Sequence, residues 1–414
     1  MRITNQMMTN NMMSNINKNK FNMNKYDEQY STGKKIQRPS DDPIVAVRAL
    51  KLRTNLVQLN QYLDKNIPDA LSWMDVTESA LKNVNQILTD MNTYCVDGSN
   101  DDLTVDNRNS IINNLMELQK HIYQEGDANY AGRYVFTGYK TDKSLIFNST
   151  DKMSDYQYNI TEDFKFKDID TISKVFGSYA VPTDTSTITT GTYAQAPTTV
   201  DTYRIRLAYD TLDAYKAADA NFKLTYTIPG TPPTVQTIPN ATYTMTTISD
   251  SKTAGAYQPG VNEVAFLADT GEVILGKNVY NDMRKAESIS VNYDKSKFEE
   301  GDLRPEHYFN CSKYKLDNTG ARIQEFDAGG TFTGYKKDVT YMKEDQDIEY
   351  EINFNQKIAI NVQGKDCISH DIGRDIEEIF ASSSILNSIV YFLKSSNPII
   401  PLSNVKTLSS SRSI

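Results

Sequence analysis

A chain of 414 residues with a hydrophobic fraction of 39% and a charged fraction of 23% has room for several modules but is poor in apolar material for one thick core. Its 44 basic against 53 acidic residues leave a formal net charge of -9. With no basic surplus to neutralise phosphates, nucleic-acid binding is excluded as its business, and the acidic surface serves solubility.

The opening stretch MRITNQMMTNNMMSNINKNK has a basic residue and many methionines, but Asn and Thr interrupt every candidate apolar core, so no cleavable secretory signal is read. Met8, Met12, Ile16, Asn19, Met23, Tyr26 and Tyr30 follow at steps of four or three, which places them on one stripe of a first helix. The stripe is weakly apolar and contains an Asn. Alone it cannot offset the entropy of ordering, so this helix is expected to settle only against a partner.

A stop and restart follows in QRPSDDPIVAVRAL, residues 37–50. Gly33 ends the first helix, and Pro39 turns Arg38 away from helical geometry. Ser40 or Asp41 is positioned to cap the next helix while Asp42 faces its positive end, and Pro43 fits the first turn. The second helix carries Leu52, Leu56, Leu59, Leu63, Asn66, Ala70 and Trp73, and a later run carries Met74, Thr77, Leu81, Val84, Leu88, Met91 and Cys95. Pro68, between them, is expected to kink or divide the helix. A third helix starts near Val105, shows Ile111, Leu115, Leu118 and Ile122 on one face, and ends around Gly126. Long amphipathic elements with short connections make a rod-like bundle, with the stripes between 81 and 122 as its packed seam.

Residues 142–365 change character. Thr and Tyr become frequent and alternation replaces helical spacing. TYRIRLAY (202–209), FKLTYTI (222–228) and EVAFLADTGEVILG (263–276) read as strands, the last a hairpin around Asp269, Thr270 and Gly271. IEYEINFNQKIAINV (348–362) reads as another pair, and the Ser/Thr-rich 182–200 as an exposed loop. This is a β-rich outer module inserted in the helical rod, serving either as a spacer or in carbohydrate or host binding. The late apolar run ILNSIVYFL (385–393) falls short of the roughly 20 residues a membrane-spanning helix needs.

Catalytic chemistry has no foothold. His121, His307 and His370 stand outside any HExxH or paired-ligand motif, and GxSxG, P-loop and dinucleotide fingerprints are missing. The acids and bases of GDLRPEH lie on one turn rather than converging, and FEEGD reads as a solvated charged turn. Cys95, Cys311 and Cys367 are odd in number and far apart, so neither a disulfide framework nor a metal centre is expected. No catalytic, cofactor or metal residue is assigned.

MRITNQMM at the start, STGKKIQRPSDDPIVA at 31–46 and GRYVFTGYKT at 132–141 resemble, in order and separation, the flagellar hook-associated protein 3 family. FEEGDLRPEHYFNC (298–311) and HDIGRDIEEI (370–379) are similar to it too. The resemblance implies an α+β, elongated flagellin-like rod with an inserted β-rich outer domain. Its segments would be an assembly helix (1–38), a helical rod (39–141), a variable module (142–365) and an atypical carboxy-terminal segment (366–414). It also implies export through the flagellar type III apparatus without signal cleavage, and an extracellular place between hook-associated protein 1 and flagellin. Copies of the chain and an export chaperone are further implied partners. Flagellin, another hook-associated subunit and an adhesin are the alternatives. In one respect the chain departs from the family. Where return helices are expected, Pro398 and Pro401 and a Ser-rich stretch oppose helix, so a truncated or frameshifted product is expected.

Overall fold

The computed structural model describes residues 4–36, 38–40, 42–100, 102–176, 198–216, 221–253, 255–327, 330–343 and 346–379. Most of the expected loop 182–200, the run 385–393, Pro398 and Pro401 lie outside the described residues. The fold is α+β. Its helices are α1 (Asn5–Thr32), α2 (Pro43–Gln61), α3 (Ile67–Gly98), α4 (Val105–Glu125), α5 (Lys277–Met283), α6 (Pro305–Tyr308) and α7 (Gly364–Cys367). The strands begin with a short pair, β1 (Asn129–Tyr130) and β2 (Arg133–Tyr134), followed by β3 (Tyr156–Phe164), β4 (Asp170–Phe176), β5 (Thr198–Arg206), β6 (Lys223–Ile228), β7 (Thr234–Ile238), β8 (Thr244–Ile248), β9 (Glu263–Leu267) and β10 (Glu272–Leu275). Then come β11 (Ser288–Lys295), β12 (Asn310–Lys315), β13 (Gln324–Phe326), β14 (Phe332–Tyr335), β15 (Lys337–Tyr341), β16 (Glu349–Asn353) and β17 (Gln356–Ala359). Two compact units result, Met1–Ser72 with Glu349–Ala359, and Trp73–Ile348 with Ile360–Ile414.

In the first unit α1 stops at Gly33, whose left-handed φ of 64° lets its N–H donate to the Gln29 carbonyl. The next cap differs from the expected one. Asp42 itself is the N-cap of α2, its carboxylate accepting from the Val45 N–H at 3.2 Å. The reason is Pro43: a residue before proline is held in extended geometry, which is the geometry an N-cap needs, and Asp42 sits at φ -156° and ψ 95°. Pro39 and Ser40 lie in the turn before it, and Asp41 is outside the described residues.

Between α2 and α3 the chain makes a wide π-type turn, Tyr62–Asn66, in which Ile67 N–H donates to the Tyr62 carbonyl. Pro68 has no N–H for the Asp64 carbonyl, and widening the turn is how the helix continues past it. The β16–β17 hairpin covers this turn. Phe354 meets Tyr62 edge-on at 5.9 Å, Asn66 Nδ2 donates to the Glu351 carbonyl at 2.7 Å, and the Tyr350 hydroxyl donates to Asp69.

In the second unit α4 starts on a Thr104 cap, whose hydroxyl accepts from Asn107 N–H at 3.3 Å. It packs with α3 through Val84, Met91, Leu115, Ile122 and Tyr123, and Leu145, Tyr308, Ile368 and Ile376 close the same core. A six-stranded antiparallel sheet runs β15-β12-β3-β11-β6-β7, and a five-stranded sheet runs β4-β5-β10-β9-β8 with only β8–β9 parallel. Ile160, Phe222, Phe266, Val291 and Tyr293 belong to the main core of this module. The β9–β10 hairpin turns at Gly271, where φ is 62° and a Cβ would stand 1.9 Å from the Tyr209 carbonyl oxygen, so only glycine fits.

A helical stretch, 371–379, is fastened to β5 and its neighbours by charge. Arg204 pairs with Glu272 at 2.8 Å and Glu378 at 3.1 Å, and Arg206 with Asp375 at 2.6 Å. Arg374 donates to the Leu207 carbonyl at 3.1 Å and to the Thr270 carbonyl.

Candidate assembly surface

Neither α1 nor α2 buries a single residue. Met8, Met12, Ile16, Met23, Tyr26 and Tyr30 are all exposed, from 48% at Ile16 to 92% at Tyr30. Met7, Met13 and Phe21 widen the apolar surface beyond that stripe, and Ile44, Val47, Leu50, Leu52, Leu56, Val57, Leu59 and Leu63 carry it through α2 and the turn after it. Magnitudes say how much is needed. Covering six such side chains gains about 1.5–3 kcal/mol each, roughly 9–18 kcal/mol in all, against an association cost of about 4–15 kcal/mol. The α1 stripe alone is therefore of the same order as the cost, and the α2 surface tips the balance toward association. Leu52, Leu56, Leu59 and Leu63 are the expected stripe of the second helix, and here they lie on the surface. The dense apolar pattern is the available signal, and among the described residues no element of this unit covers it.

The α3–α4 stripes are a different surface, turned inward. Val84, Met91, Leu115 and Ile122 are buried, while Leu81, Ile111 and Leu118 are half-buried. Leu88 departs from its expected packed position, at 39% exposed, and Cys95 is exposed as well. The packed line on α3 runs Trp73, Thr77, Ala80, Val84, Ile87, Met91 and Tyr94. It shares Thr77, Val84 and Met91 with the line drawn through Leu81 and Leu88 but fans to the other side between them. Both lines obey helical spacing, and the position of α4 selects one. On α4, Ile112 and Tyr123 are buried although the expected stripe passed them by.

Several titratable groups in the second unit are sealed rather than presented. Glu162 is 2% exposed, and burial lifts its carboxyl to about 7 even though the Tyr293 hydroxyl and the Ala208 N–H donate to it. Burial likewise drives His307 down to about 3. The neutral ring's Nε2 lies 2.9 Å from the Ser144 carbonyl, to which it donates. His370 is lowered by burial and meets Phe309 edge-on at 5.2 Å, whereas His121 is exposed. The Cys311 thiol is buried and pushed up. Among the described residues no group of three or more His, Cys, Asp or Glu is placed to hold a metal ion, and no helix is long and apolar enough to cross a membrane.

Residues 3–141 match the bacterial flagellin N-terminal helical region. The flagellar hook-associated protein 3 of Escherichia coli K12 is 34% identical over 144 residues, covering 34% of this chain and 45% of its own length. That of Salmonella typhimurium is 30% identical over 152 residues, covering 36% and 47%. The chain thus spans about half the length of the curated relatives it matches. Among solved structures, the FlgL of Xanthomonas campestris aligns over 58% of this chain and 74% of its own at 14% identity, with a TM-score of 0.23, too distant to carry an argument.

Proposed function

We propose that this chain, a relative of flagellar hook-associated protein 3 through its first third, is a structural subunit of the bacterial flagellum that joins hook to filament. One observation carries the reading. The segment that matches the flagellin helical region and the hook-associated relatives is also the segment whose two leading helices bury nothing and expose a continuous run of apolar side chains. Such a surface in a free subunit is an invitation to be covered. In the assembled state neighbouring copies of the chain, hook-associated protein 1 on the hook side and flagellin on the filament side cover it. Before assembly an export chaperone covers it.

On this reading residues 1–38 are the assembly helix, 39–141 the helical rod and 142–365 the outer module, with α2 sharing the assembly work of α1. The segment 366–414 is a fourth part, of which 371–379 ties back to the sheet. The subunit leaves the cell by the flagellar type III route, acts outside it, and performs no catalysis. Immunogold labelling with antibody against the outer module tests this. Gold confined to the boundary between hook and filament is the expected result. Gold along the whole filament would make the chain a flagellin instead, and its absence from flagella would overturn the flagellar reading.

A further inference from the structure

We propose that the outer module binds a single neutral sugar ring in the cleft walled by Gln157, Asp213, Asn221, Asp294, Arg322 and Tyr335. The cleft has a volume of about 240 Å³. That lies just below the roughly 300–1,000 Å³ of pockets for drug-sized ligands and suits a single small ring.

Its polar groups are fixed in advance of any ligand. Gln157 Nε2 donates to Asp213 at 2.6 Å, and the Ser296 hydroxyl donates to the other Asp213 oxygen at 2.7 Å. Arg322 Nε donates to the Gln157 side-chain Oε1 at 2.5 Å, and its Nη2 lies 2.6 Å from Asp294, which also accepts from Asn159 at 2.7 Å. Asn221 is buried, accepting from Lys216 N–H at 2.7 Å and donating to the Ala214 carbonyl at 3.1 Å. A carboxylate offers about four acceptor positions, so Asp213 retains capacity on both oxygens beyond the two bonds it makes. Held side chains of this kind lose little entropy when a ligand arrives.

Charge and shape then choose the ligand class. Among the described lining residues Asp213 and Asp294 are balanced by Arg322 and Lys216, which favours neither an anion nor a cation. The lining offers both acceptors and donors, as a ring of hydroxyls requires, and the Tyr335 ring supplies an apolar wall, with the Arg322 guanidinium 5.6 Å from its centre. Free sugar and the terminal residue of a glycan share this chemistry.

The test uses the full chain. Methyl glucoside, methyl galactoside and N-acetylglucosamine are titrated by saturation-transfer NMR beside acetate and tetramethylammonium, with backbone hydrogen exchange followed on the unsubstituted protein. One neutral sugar is expected to bind saturably with a Kd of about 1–10 mM and to slow exchange in 209–216 and 316–324. Asp213→Asn and Tyr335→Ala are each expected to weaken it about tenfold at unchanged circular dichroism, while Thr225→Ala, on β6 beside Thr237, leaves it unchanged. Retention on an array of glycans ending in that sugar marks the terminal residue as the source, and binding of the free glycoside alone marks free sugar. Lack of saturable binding up to about 100 mM, tighter binding of either ion, or protection elsewhere in the chain would overturn the proposal.

Discussion

Two leucine-class positions one turn apart on α3 show how much a single residue's neighbours decide. Val84 is 3% exposed against α4 whereas Leu88 is 39% exposed. Val84→Asp places an unpaired charge in a closed core and is expected to cost at least about 3 kcal/mol, while Leu88→Asp is expected to change stability by no more than about 0.5 kcal/mol. Urea unfolding of the two variants checks this, and equal losses would mean that the face is packed on both sides. Glu162 makes a prediction in pH. Its carboxyl, normally at 4.5, stands near 7 in the fold, chiefly through desolvation. The folded state therefore binds the proton more tightly than the unfolded one. The associated stability is fully present below pH 4.5, is lost as pH rises toward 7, and stays level above. His307 works in the opposite direction, since its folded value near 3 lies below the ordinary 6.5 and its contribution grows as pH rises between them. Subtracting Glu162→Gln from the parent isolates the first effect. Gln still accepts from Ala208 and Tyr293, and the variant is expected to show a denaturation midpoint that falls less between pH 5 and 7.5. Parallel pH profiles for parent and variant would show that Glu162 ionises in the fold as it does in water.

At the scale of elements, the two junctions that hold helices in place are local exceptions to helical regularity. The wide turn at Tyr62–Asn66 exists because Pro68 withholds an N–H, and the β16–β17 hairpin shields it. Pro68→Ala restores that donor and is expected to slow amide exchange across 60–70 as the turn tightens toward α geometry. Unaltered exchange there would mean that the hairpin, not the proline, sets the turn. The helical stretch 371–379 depends on Arg374, which is 8% exposed and spans two carbonyls and Glu377. Arg374→Ala leaves those carbonyls unpaired and is expected to cost about 3 kcal/mol locally, raising exchange in 371–379 about 100-fold. Added salt is expected to do much less, because the more exposed partners Asp375 and Glu378 carry only part of the attachment.

For the whole molecule, stability is unevenly distributed by design. The second unit encloses large cores, whereas α1 and α2 bury nothing. In the free subunit, amides of 5–61 are expected to exchange within seconds to minutes, and to become protected when the chain is assembled as proposed. Slow exchange throughout that segment in a dilute monomer would show that the helices already have cover and would remove the basis of the proposed assembly surface. Charged replacements on both helices, such as Met12→Asp with Leu56→Asp, are expected to leave the melting of the second unit untouched while abolishing the proposed assembly into flagella.

Local rules settle what a chain does with its nearest few residues, and these were legible in the sequence. The α+β division, the stop at Gly33, the restart at Pro43, the start of α4 near Val105 and the hairpin at Gly271 all follow from dihedral limits and spacing, which act over a handful of bonds. The flagellar resemblance rests on motifs of the same short reach. Contacts between distant segments were decided only in three dimensions. The choice of Ile87 over Leu88, the closure of the α3–α4 core by Ile368 and Ile376, and the joining of Gln157, Asp213 and Arg322 in one cleft bring together residues far apart in the chain or choose among positions that periodicity leaves equal. A helix has several faces with nearly the same apolar content. Which one is buried depends on the partner that arrives, and that partner's position is fixed by packing rather than by the helix's own residues.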